Sequence, residues 1–306
     1  MISLNIQGLR LEKDFTKNVQ LSDKSTIENA LIVALTETWL KPDILDAEID
    51  LKGFNTFRAD RSERSRGGAC LFVRNDLSAV PILSYSNDVV EVVGAKVREL
   101  EALVFSVYRP PDTQRSEWRD GLEKISEAIR FGQAHSDKFS RIFIMGDLNM
   151  PTCRWNSEGG LESNHRDSQE ADLKDFFQEN YLIQTVLKPT RLNNILDIVM
   201  TNDRSLVSHN KVELNRKLSD HNTITTYITI GPKKLKPSGI VDLHETKIPL
   251  YNLTRADDED WLRMEAKLDS LNWGEMSCDL AVEGKIKLLN NKLEEAVNEN
   301  WKITRK

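Results

Sequence analysis

The sequence predicts an α/β protein: two packed, mainly antiparallel sheets flanked by helices, with a helical extension at the C-terminus. Three observations point there. Apolar runs too short for helices, such as LIVAL at 31–35, IFIM at 142–145 and ILDIVM at 195–200, recur through the first 231 residues. Runs of that length read as strands buried on both faces. Between them only a few segments show helical apolar spacing. Past Gly231 the composition shifts: PKKLKPSG at 232–239 reads as a linker. Beyond it, 257–271 and 281–301 carry stripes of Trp261, Leu268 and Leu271, then Ile286, Leu289, Leu293 and Val297. The expected division is 1–231 and 232–306.

Met1 to Asn5 reads as one short strand, turned by Gly8-Leu9-Arg10, and 11–29 hold only a loose helical stripe of Leu11, Phe15, Val19 and Ile27. Strand 31–35 runs into Thr36-Glu37-Thr38-Trp39, so Glu37 stands just past a buried strand end. Strands 54–59 and 69–74 flank a loop carrying Arg61, Arg64 and Arg66 before two glycines. Guanidinium forks there suit phosphate contact. Residues 89–97 and 102–107 form an expected hairpin about the charged turn 98–101, and Tyr108-Arg109-Pro110-Pro111 stops its second strand. A helix over 116–131 follows, with Ser116 as its cap and Trp118, Leu122, Ile125 and Ile129 on one face. In RIFIMGDLNMP, 141–151, an apolar run breaks at Gly146 and presents Asp147 and Asn149 on one side of its exit. A second amphipathic helix, 169–180, turns Leu173, Phe176 and Phe177 inward. Thr190-Arg191 opens a loop before strand 195–200, and 206–214 is a further strand. Ser219-Asp220-His221-Asn222 precedes the alternating strand 223–230.

Bulk properties exclude several classes. No stretch approaches the roughly 18 to 20 apolar residues that span a bilayer, and the first residues lack the pattern of a signal peptide. Cys70, Cys153 and Cys278 are odd in number, widely spaced and without a CxxC pair. They argue against a disulfide framework or zinc site and fit a reducing compartment. A formal charge of −6 means that nucleic-acid binding needs a local basic surface. A soluble intracellular protein with no membrane partner is expected.

Asn5, Glu37, Tyr108, Asp147 with Asn149, and Asp220 with His221 each lie at or beside an expected strand end. Gathered on one edge they make an oxygen-rich pocket with one histidine. Asn and Glu oxygens suit a hard cation such as Mg2+, with Mn2+ as a substitute. Asp147 can activate a water, His221 can donate to a phosphoryl oxygen, and Asp220 can hold or charge that imidazole. Asn149 and Tyr108 can donate to developing negative charge.

LNIQGLR around Asn5, LTETW around Glu37, VYRPP, GDLNMP, ILDIVMTN and SDHN resemble the successive motifs of the endonuclease/exonuclease/phosphatase superfamily. The resemblance runs from Met1 to about Ile230. TETWL, RGGACLFVRNDL and KPTRLNNILDIVMTN are most similar to the endonuclease domain of non-LTR (LINE-type) retrotransposon polyproteins. It implies a four-layered α/β sandwich and a Mg2+-dependent endonuclease that nicks DNA. A phosphatase or phosphodiesterase on the same fold, or a decayed or domesticated binding module, are the alternatives. By resemblance, Glu37 is the metal-ligand glutamate, supported by Asn5, and Asp220 joins the metal set. Tyr108, Asp147, Asn149, Asp197, Asp220 and His221 form the catalytic group, with Asp197 orienting the site. Thr190 contacts substrate, and Arg66, Arg191 and Ser219 stand beside it as substrate-binding candidates. The tail resembles the connector toward reverse transcriptase and is expected to self-associate or to meet a protein partner. An intracellular, nuclear location is expected, with no targeting signal in the sequence. Three departures accompany the resemblance: a short first strand, a weak first helix, and Gln7 where many relatives carry an acid.

Overall fold

The computed structural model describes residues 1–11, 15–16, 29–87, 89–134, 139–162, 168–214, 216, 218–229, 266–267 and 270. The strands among them are β1 (Ile2–Asn5), β2 (Arg10–Leu11), β3 (Phe15–Thr16), β4 (Ile32–Thr36), β5 (Phe54–Ala59), β6 (Ala69–Arg74), β7 (Ala79–Ser86) and β8 (Glu91–Val97). There follow β9 (Ala102–Tyr108), β10 (Arg141–Asp147), β11 (Arg154–Trp155), β12 (Leu161–Glu162), β13 (Ile183–Gln184), β14 (Asp197–Thr201), β15 (Val207–Leu214) and β16 (Asn222–Ile228). Helix α1 (Arg115–Gln133) precedes β10 and α2 (Gln169–Glu179) precedes β13.

Two six-stranded sheets carry the architecture, ordered β15-β16-β1-β4-β6-β5 and β13-β14-β10-β9-β8-β7. Each is antiparallel except for one central pair, β1 with β4 and β9 with β10. The pleat explains why their strands read as unbroken apolar runs. One face meets the other sheet, through Ile32, Ala34, Leu71 and Val73 against Val93, Val104, Phe143 and Val199. The opposite face of the second sheet, with Phe105, Ile144 and Met200, packs under Trp118, Ile125, Leu173 and Phe176 of the two helices. A two-sheet α/β sandwich is the result.

Several local expectations change. Residues 10–11 pair with 15–16 in a small hairpin where a loose helical stripe was expected; most of 12–28 lies outside the described residues. The cap of α1 is Gln114, whose backbone N–H donates to Glu117 at 2.8 Å, and Ser116 lies inside the helix. Strand β7 went unread because it is an edge strand, largely exposed and carrying Pro81, which resembles loop in a sequence. Compactness separates Met1–Ser238 from Gly239–Lys306. The expected tail helices and the linker lie outside the described residues, apart from helical positions at 266, 267 and 270.

Candidate active site

Register builds the site. Glu91, Tyr108, Asp147 and Asp197 are direct neighbours across β8, β9, β10 and β14, one row at the end of the second sheet. Paired neighbours share a face, and this row continues the face that meets the first sheet. Opposite, Asn5 neighbours Thr36 at the ends of β1 and β4, and Glu37 follows directly. The row meets that edge through hydrogen bonds. Asn5 Nδ2 donates to Asp147 Oδ2 at 2.7 Å, and the Tyr108 hydroxyl donates to Glu37 Oε1 at 2.5 Å.

Asp147 is fully buried and heavily supplied with donors. Besides Asn5, the Asn149 backbone N–H reaches its Oδ1 at 2.9 Å and the Asn149 carboxamide its Oδ2 at 3.1 Å. Asn149 manages both because its backbone turns left-handed, at φ 48°. Asparagine tolerates that region better than most residues. Glu37 at φ 55° and Trp39 at φ 57° are left-handed too. Strained backbone of this kind costs roughly 1–3 kcal/mol per residue and concentrates where a fold must aim side chains.

His221 Nδ1 lies 2.8 Å from Asp197 Oδ2 and 3.9 Å from Asp147 Oδ2. Asp197 is therefore the carboxylate on the imidazole. Asp220 does not hold the imidazole: it stands 4.0 Å from Nε2, close enough to act on it by charge alone, and pairs with Arg191 at 2.8 Å. Thr190 acts below the surface: its hydroxyl accepts from the Leu196 and Asp197 N–H groups at 3.0 Å, fixing the start of β14. Ser219 accepts from the His221 N–H at 3.1 Å. Arg66 is exposed over the Trp39 ring, and Trp39 Nε1 donates to Glu37 Oε2 at 2.6 Å. Arg61, expected on the phosphate-facing loop, is instead buried against Glu91. That is a correction: with Arg61 inside, Arg64 and Arg66 are the arginines of that loop that face solvent.

Electrostatics divide the acids. Burial first, then the adjacent Asp197 charge, pushes the Asp147 carboxyl above the usual carboxylate range. Burial works against a charged His221. Its hydrogen bond to Asp197 and the charges of Asp197 and Asp147 outweigh that, holding the imidazolium above its ordinary value. For Asp220 burial is outweighed by Arg191, which keeps the carboxyl low. Tyr108 is pushed up by burial and by Glu37, so it stays a neutral donor.

Asp147, Asp197 and His221 each bring a donor atom within 4.8 Å of the others. Asp197 Oδ1 is buried without a hydrogen-bond partner among the described residues. Glu37 and Asn5 add oxygens across Tyr108 and Asp147. The carboxylate and carboxamide oxygens of this set fit a hard divalent cation, while His221, charged beside Asp197, gives it no lone pair.

One residue the sequence reading left unassigned is Arg109. Its buried guanidinium donates to the carbonyls of Leu148 at 3.0 Å and Asn149 at 3.3 Å, while the Asn149 carboxamide donates to the Arg109 carbonyl at 3.0 Å. Its place directly after Tyr108 at a strand end was the available signal. A hollow of about 330 Å3 adjoins it, lined by Asn149, Thr152 and Glu170 among others.

Residues 102–225, less than half of the chain, match a family described as endonuclease-reverse transcriptase. That segment carries Tyr108, Asp147, Asn149, Asp197, Asp220 and His221, and over it the chain is similar to that family. Among solved structures it is similar to the endonuclease domain of TRAS1, a telomere-specific non-LTR retrotransposon. Identity is 19%, with 74% of this chain and 96% of that one covered and a TM-score of 0.51. A 3′ phosphatase, NExo from Neisseria bound to product DNA hairpin, gives 13% identity, 74% and 98% coverage and a TM-score of 0.52. The Xenopus laevis APE2 catalytic domain gives 13%, 74% and 90%, and 0.51. At these identities the likeness establishes the fold. No curated protein matches the sequence.

Proposed function

We propose that the chain is a Mg2+-dependent endonuclease that nicks DNA by hydrolysing a phosphodiester, working in the nucleus. What carries the reading is Asp147: a buried carboxylate gripped by Asn5 and Asn149, beside an Asp197–His221 pair and a Tyr108–Glu37 pair. A carboxyl lifted above its usual range is a better proton acceptor near neutral pH. Asp147 takes the proton of an attacking water as the oxygen–phosphorus bond forms and the bond to the leaving oxygen breaks. His221, charged and oriented by Asp197, donates to a phosphoryl oxygen; Tyr108 exchanges its bond to Glu37, and the Asn149 carboxamide its bond to the newly protonated Asp147, to donate to the developing charge. Glu37, Asn5 and Asp220 would hold the cation, which when bound supplies polarisation of the phosphate and charge stabilisation at the leaving oxygen.

The test is supercoiled plasmid with Mg2+, with Mn2+, and with chelator. The expected outcome is relaxed plasmid that requires the cation. Asp147→Ala should abolish it, and Glu37→Gln should raise the Mg2+ needed for half-maximal rate by at least about tenfold. Release of phosphate from a 3′-phosphorylated end without nicking would move the reading to a phosphatase.

A further inference from the structure

We propose that Arg61 and Glu91 are a buried positioning pair that locks the two sheets together at the site and so aims Glu37 at Tyr108. The inference rests on the function proposed above and deepens it.

Glu91 is the fourth member of the row that holds Tyr108, Asp147 and Asp197, and the member without a chemical role. It is 0% exposed, and Arg61 is 6% exposed. Arg61 Nε donates to Glu91 Oε1 at 2.7 Å, and its terminal nitrogen donates to the Val89 carbonyl at 2.7 Å. The other carboxylate oxygen accepts from the Gly68 N–H at 2.9 Å. One side chain from the loop after β5 is thereby fastened to β8 in the opposite sheet.

The consequence reaches Glu37 through the two glycines. Gly67 rests on the guanidinium so closely that an added Cβ would lie 2.3 Å from its carbon, at a φ of +73° that already favours glycine. From that perch the Gly67 carbonyl accepts from Trp39 N–H at 2.8 Å, and the Gly67 N–H approaches Glu37 Oε2 at 3.4 Å. The Gly68 carbonyl takes Thr38 N–H at 3.5 Å. On its other side the guanidinium stands 5.5 Å from the centre of the Tyr108 ring. Glu91, Arg61, Gly67, Glu37 and Tyr108 therefore close a ring of contacts, because Tyr108 both neighbours Glu91 and hydrogen-bonds Glu37.

Buried ion pairs are weak sources of stability compared with apolar residues of the same volume. What a guanidinium fork supplies is direction, holding one carboxylate and one carbonyl at fixed angles. A 1 Å misplacement of a reacting group costs on the order of 100-fold in rate, so direction at this point matters more than net stability.

The experiment uses the full chain carrying Arg61→Met with Glu91→Gln, which removes both charges together, and separately Arg61→Lys. Thermal melting, single-turnover nicking at saturating DNA and calorimetric Mn2+ affinity are compared with the unmodified protein. The expected double variant melts close to the unmodified protein, nicks on the order of 10–100-fold more slowly, and binds Mn2+ several-fold more weakly. Unchanged rate and affinity in a folded variant overturn the pair's role. Should the double variant not fold, Arg61→Lys decides: slow nicking at retained melting temperature sustains the proposal, and full rate overturns it. Should the unmodified protein not nick at all, the function above fails by itself. Mn2+ affinity then judges the pair, weaker binding sustaining it and equal binding overturning it.

Discussion

At the scale of single residues, the Asp147–Asp197–His221 cluster makes a directional claim about pH. Only ionised Asp147 can accept water's proton, so the rate should climb as pH rises through its lifted pKa. The imidazolium of His221 is lost as pH rises through its own raised value, so the rate should then fall. Asp197 raises both groups. Asp197→Asn should therefore move both limbs of the profile to lower pH and reduce its maximum, read from nicking rates across pH. Limbs that stay in place would separate Asp197 from the titrating groups. Arg64 and Arg66 make a separate claim. If they hold backbone phosphates, neutralising each should reduce the log–log salt slope of DNA binding by about 0.9, whatever the sequence bound. An unchanged slope would leave both arginines to solvent. Much of the candidate site was legible because each member sits at the end of an apolar run. The partner of His221 was not, because Asp220 is adjacent in sequence whereas Asp197 arrives through the register of β14 against β10.

At the scale of elements, β10 depends on one glycine. Gly146 has φ +142°, and a Cβ there would lie 1.9 Å from the Val107 carbonyl oxygen of the neighbouring strand. Gly146→Ala should cost about 3 kcal/mol or more, measured by denaturant unfolding, since neither strand can retreat from the packed core. A loss below about 1 kcal/mol would show that the β9–β10 ladder can shift. The central strands were readable for the same reason that they are rigid: both faces are buried, so the apolar run is continuous. The edges were not. In β7 the exposed Val80 and the proline blur any alternation, and its partnership with β8 is a tertiary fact. The buried Arg61 was misread because an arginine-rich loop looks the same in sequence whether its first arginine points outward or into a carboxylate thirty positions away.

At the scale of the whole molecule, the candidate site residues are complete by Asn222, and the proposed division ends the first domain at Gly231. A chain truncated there should stay folded, melt near the full-length protein and keep its nicking activity. Insolubility or a much lower melting temperature would assign the tail to the same domain. Strand β1 lies between β4 and β16, and the Met1 backbone bonds Thr226, a separation of 225 positions. The first partner, β4, ends at Thr36 and the second, β16, at Ile228, so at about 5–20 residues per second a ribosome needs roughly 10 to 38 s to deliver the second after the first. Throughout that interval β1 offers an unpaired edge, the kind that recruits other nascent chains. The segment that ends the exposure begins at Asn222, one residue after His221. The histidine therefore joins its two aspartates in the same step that seals the sheet, and a chain still on the ribosome carries the acids without their acid–base partner.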